Sequence, residues 1–77
     1  MDQQQGVKQV IEQARGCKTP SELGQTLATG LGELVKKAAR GGNPSVDCED
    51  LGAAIESNAG ALGVAIGEVV VRERQQA

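Results

Sequence analysis

Between Thr19 and Gly42 the chain reads TPSELGQTLATGLGELVKKAARGG, and Gly24, Ala28 and Gly32 recur at every fourth position with no side chain larger than a methyl. The segment is bounded as a helix. Thr19 suits the cap, Pro20 the first helical position where an N–H has no partner, and Glu22 the capping-box position three residues after the cap. Lys36, Lys37 and Arg40 occupy the last turn, where cations complement the negative end of the helix dipole, and Gly41, Gly42 and Pro44 stop it. Interior glycine costs a helix roughly 1 kcal/mol relative to alanine, so Gly24, Gly30 and Gly32 need a compensating contact. A row of small residues supplies one by letting a second helix approach more closely than the usual distance of about 8–10 Å. The third segment carries a similar row in Gly60, Gly63 and Gly67. The two rows predict a docking seam, formed within the chain or between copies, that comprises Gly24, Ala28, Gly32, Gly63 and Gly67 flanked by Leu27 and Leu31. The competing reading makes the glycines helix breaks.

Two further segments have helical period. Asp2 and Gln5 in DQQQ form a capping-box pair, and Val7, Val10, Ile11 and Ala14 follow at i, i+3, i+4 and i+7, with Gly16 as the end. After Pro44 the third segment starts at Ser45 or Asp47, and Leu51, Ile55, Leu62, Ile66 and Val69 continue the period, with Asn58 and Gly60 as the weak point. The tail VVVRERQQA would suit a strand, but no second strand-like run exists to pair with it. The fold expected is therefore all-α over a single domain, residues 1–77. It has three principal helices, a short one followed by an antiparallel helical hairpin, or four to five shorter helices if the glycines break them. The buried stripe expected is Leu23, Leu27, Leu31, Leu34, Ile55, Leu62 and Ile66, with Val35 and Ala38 continuing it on the second helix.

Composition narrows the function. The 77 residues include 11 Gly and no Phe, Tyr or Trp, so the side chains that dominate most cores are missing. A chain this size hides only about 60% of its extended surface on folding, which favours a covering partner. With no His, the commonest general base is absent, and Cys17 and Cys48 cannot by themselves close a zinc site. Asp47, Glu49 and Asp50 lack the alternating ligands and central glycine of a calcium loop and read as helix-capping acids. GLGELV lacks the third glycine and preceding strand of a dinucleotide fingerprint, and no phosphate loop is present. These features predict no enzyme, no metal and no cofactor. Two reduced thiols are the reading a cytosolic chain favours, with a bond between them left open. A straight helix over 20–40, about 30 Å long, would hold Cys17 and Cys48 far beyond the roughly 7 Å that a disulfide spans, so an intrachain bond would require that helix to bend back.

The formal net charge is −2, and Gly41 to Val71 holds five acidic residues and no basic one. That balance disfavours nucleic acid. ARGGNPSVDCEDLGAAIESNAGALGV nevertheless resembles the latter part of phage-repressor-like helix-turn-helix domains, in which a turn with Asn-Pro-Ser precedes a helix ending in Leu-Gly-Val. The matching residues are Gly42, Asn43, Pro44, Ser45, Leu62, Gly63 and Val64, and the resemblance implies a DNA-binding regulator. A membrane-active helical peptide is a third reading, supported by the Gly- and Ala-rich third segment, although AGALGVAIG is far shorter than a membrane span. The absence of a basic-then-apolar leader predicts cytoplasmic residence, with a processed secreted chain as the alternative. The function expected is a protein–protein interaction module, acting as a homo-oligomeric adaptor, an assembly factor or an inhibitor of a protein partner.

Overall fold

The structure, a computed structural model, describes residues 3–76 as four helices: α1 Gln3–Arg15, α2 Pro20–Ala39, α3 Pro44–Ser57 and α4 Ala59–Gln76. The fold is all-α. The Asp2 cap expected for α1 lies outside the described residues.

The α2 start forms as the sequence dictates. Thr19 Oγ1 accepts the Glu22 amide at 3.1 Å, and the Glu22 carboxylate accepts the Lys18 amide at 3.3 Å, one residue ahead of the cap itself. Pro20 opens the helix, which then runs unbroken through Gly30. The break occurs instead at Asn58, which divides the third segment into α3 and α4 with a bend of 55°. The start of α3 is also earlier than Ser45 or Asp47: Asn43 Oδ1 accepts the Val46 amide at 3.4 Å and Pro44 takes the first helical position. Asparagine wins because the following proline needs an extended residue before it, and a non-helical Asn43 satisfies both demands.

α1 and α2 are antiparallel, with Gly6 beside Leu34 and Gly30 beside Val10. α1 and α4 are parallel, with Gln4 bonded to Ser57 and Asn58 near the start of α4, and Arg15 bonded to Glu68 further along it. α4 therefore runs antiparallel to α2. α3 caps one end, and the molecule is elongated at 47 × 19 × 15 Å.

The core has two parts. Val7 and Ile11 of α1, Ala38 of α2, Leu51 and Ala54 of α3 and Ala65 of α4 form the first, with Leu34, Ile55 and Leu62 packed against it. Ala14, Cys17, Leu23 and Val69 form the second, joined by Leu27. Three residues of the expected stripe fall outside: Leu31 is half-buried but in neither cluster, Val35 is 49% exposed and Ile66 is 40% exposed. The last two sit round the helix from the buried positions, and Ala38, Ala65 and Val69 take the inner sites because three closely packed rods leave room there for small side chains.

Both cysteines are free, Cys17 buried and Cys48 exposed. Cys17 Sγ lies 3.3 Å from Thr26 Oγ1 near the start of α2, while Cys48 is on α3 beyond the other end. In a thiol titration, Cys48 should react at once and Cys17 only on unfolding. Equal, immediate reaction of both would contradict this placement.

Candidate interaction surface

The close approach predicted for the small residues exists, but at other glycines. A β-carbon built on Gly30 would stand 2.8 Å from both Val10 methyls, and one on Gly6 would stand 2.9 Å from a Leu34 methyl. These two glycines let α1 and α2 meet. Gly30 is in phase with Leu23, Leu27 and Leu34, the 4-3-4 spacing of a packing seam, and Gly6 is one turn before Val10. That phase was readable in the sequence.

Gly24 and Gly32 of α2, and Gly60, Gly63 and Gly67 of α4, behave differently: an added β-carbon would meet nothing within 4 Å. The two rows do not interlock within the chain, which corrects the intrachain form of the seam. Ala28 is exposed, and Leu27 and Leu31 are half-buried, with Leu27 held in the second core cluster. At about 100° per residue, advancing by four positions drifts round the helix, so Gly24, Ala28 and Gly32 pass away from the Leu23–Leu27–Gly30–Leu34 line.

α4 has an inner and an outer face. Ala65 and Val69, one turn apart, are completely buried. On the opposite side run Gly60, Val64, Gly67 and Val71, with Gly63 beside them; Val64 is 59% and Val71 is 54% exposed. No charged residue occurs between Ala59 and Gly67, so the outer face is apolar for more than two turns. An open depression lined by Gly67, Glu68, Val71, Arg72 and Gln75 follows it toward the end of α4, where the surface becomes mixed in polarity.

Polar groups hold α4 in place from the α1 side. Arg15 bonds Glu12 at 3.1 Å and Glu68 at 3.1 Å. The Glu68 hydrogen bond and charge, and then those of Glu12, raise the Arg15 pKa above its ordinary value, which leaves an already cationic group cationic. Arg72 donates to the Arg15 carbonyl at 2.9 Å and to the Cys17 carbonyl, so a cation closes the carbonyl end of α1. At the opposite end Asn58, only 8% exposed, donates to Gln4 Oε1 and to the Ala54 carbonyl, each at 2.7 Å.

The remaining candidate features are local. The Asp47 carboxylate occupies the space where a Gly41 side chain would be and would have to turn aside for one, and no described residue has a positive φ. Lys36 pairs with Glu33 at 3.7 Å, both exposed. Among the described residues no group of three Cys, Asp or Glu is arranged to hold a metal ion. No single helix among them is long and apolar enough to cross a membrane, although the bent α3–α4 pair taken together is. Leu62, Gly63 and Val64 lie inside α4, so the helix opened by Pro44 ends at Ser57 and not in the Leu-Gly-Val of the helix-turn-helix resemblance. Comparison with models of known families, with curated proteins and with solved structures finds no match for the chain.

Proposed function

We propose that the protein is a non-enzymatic interaction module whose contact surface is the outer face of α4, covered by an apolar helix of a protein partner, with a second copy of the chain as the occupant the face fits best. The supporting observation is the stripe Gly60, Val64, Gly67, Val71, exposed and opposite the core. Its spacing is 4-3-4, so it reads the same in reverse with glycine and valine exchanged. In an antiparallel pair of α4 helices each valine would seat over a glycine of the other copy, the isologous arrangement that a two-fold dimer requires. Each of these exposed glycines lowers helix stability by roughly 1 kcal/mol with no intrachain contact to explain it. One helix face buries less than the roughly 800 Å² per partner of a standard interface, which makes the contact a transient one.

Gly67 separates the two contributions. Gly67→Ala should stabilise the monomer by about 0.5–1 kcal/mol in urea denaturation, because the new methyl meets only solvent. Gly67→Leu should leave the monomer at least as stable while abolishing concentration-dependent association in sedimentation equilibrium. Association unchanged by Gly67→Leu would rule out the α4 outer face as the contact.

A further inference from the structure

We propose that the α3–α4 junction is a swap hinge, through which two copies of the chain exchange α4 and pack it on each other's α1 and α2. The exchange uses the inner face of α4 and does not depend on the outer-face contact proposed above.

The connection is one residue long. Asn58 has φ −105° and ψ 11°, in the bridge region beside the helical well, so rotations of about 40–50° at this one residue separate the bent junction from a continuous helix. Hydrogen bonds already approach it from both sides: the Asn58 amide donates to the Ala54 carbonyl at 3.2 Å, and the Leu62 amide donates to the Asn58 carbonyl at 3.0 Å. Between them, the amides of Ala59, Gly60 and Ala61 make no backbone bond across the junction. Straightening would give these three amides the carbonyls of Ile55, Glu56 and Ser57 and produce a single rod over 44–76, about 50 Å long. α3 and α4 share little contact with each other, so straightening breaks few interactions between them.

The bend is held from outside, by α1. Gln4 Nε2 donates to Ser57 Oγ at 2.9 Å, and Asn58 Nδ2 donates to Gln4 Oε1 at 2.7 Å. Apart from the contact of Ala65 with the α3 part of the core, the inner-side contacts of α4, including Val69 in the second core cluster and Arg72 on the α1 carbonyls, are made mainly with α1, α2 and the turn between them. A second copy presents the same partners. The swapped dimer therefore restores those contacts between chains and adds three helical hydrogen bonds per chain, while a short connection that must bend is the feature that invites exchange.

The test compares the wild type, Asn58→Ala, Gln4→Ala and a variant with Gly-Ser-Gly inserted between Asn58 and Ala59, each refolded from denaturant at matched concentrations and sedimented. Asn58→Ala removes the latch and favours helix, and Gln4→Ala removes the latch alone. Both should raise the dimer association constant at least tenfold, and the insertion should bring it down to that of the transient outer-face contact alone. Exchange is read directly with Arg15→Cys/Glu68→Cys in a Cys17→Ser/Cys48→Ser background: a short bismaleimide should join two chains in the dimer and link within the chain in the monomer. A dimer whose strength the insertion does not change and that is linked only within chains would overturn the exchange and leave the outer-face contact standing. Monomer throughout for the wild type, Asn58→Ala and Gln4→Ala would also overturn it.

Discussion

Leu51→Ala is expected to destabilise the protein by about 2–5 kcal/mol, the range for deleting most of a buried leucine and leaving a cavity. Leu51 is 3% exposed and sits where α3 meets Val7 and Ile11 of α1, Ala38 of α2 and Ala65 of α4. The buried neighbours are short or β-branched and cannot swing in to fill the space, which leaves only the half-buried Leu34 and Leu62 to relax toward it. Single domains have a net stability of about 0.05–0.15 kcal/mol per residue, so a chain this small has about 4–12 kcal/mol in all. The loss is a large share of that total, and the denaturation midpoint should fall accordingly. Val64→Ala, on the exposed outer face, should change stability by no more than about 0.5 kcal/mol. Urea titrations followed by circular dichroism would compare the two. Similar midpoints would mean that α3 does not carry the core as described.

Gly30→Ala should also be destabilising, by up to about 2 kcal/mol net, although alanine is the better helix former. The new β-carbon would come within 2.8 Å of both methyls of Val10. A valine in a helix has essentially one rotamer, so Val10 cannot turn aside and α1 must move away from α2. Overpacking of this kind costs about 1–3 kcal/mol, more than the roughly 1 kcal/mol gained in helix propensity. Gly6→Ala provides the control, because its nearest neighbour at 2.9 Å is the tip of Leu34, which has another torsion to relieve the contact. Gly6→Ala should therefore be close to neutral by the same measurement. Equal effects at the two positions would show that the α1–α2 separation is not set at Gly30.

Much of the fold was legible because local rules and packing agree. Thr19-Pro20-Ser21-Glu22 opens α2, and Val7, Val10, Ile11 and Ala14, all buried, are the α1 face that period alone selects. Asn58 stood as a weak point and is the break. The inner positions of α4 were harder. Gly, Ala and Val surround that helix on every side, so periodicity picks out buried Val69 but does not distinguish buried Ala65 from exposed Val64 and Ile66. The candidate surface was half legible for a related reason. Spacing by four identifies a row of small residues but not its direction, which is set by the leucines beside it. Gly30 lies on their line and meets α1, while Gly24 and Gly32 lie off it and face open space.

The four innermost alanines, Ala14, Ala38, Ala54 and Ala65, each no more than 3% exposed, have a calorimetric consequence. The heat-capacity increment of unfolding scales with the apolar area that water newly covers, and alanine adds far less of it than the Leu, Ile or Phe that fill comparable positions elsewhere. A small increment flattens the curve of free energy against temperature. Heating and cooling therefore weaken this molecule gradually, over a wide thermal range.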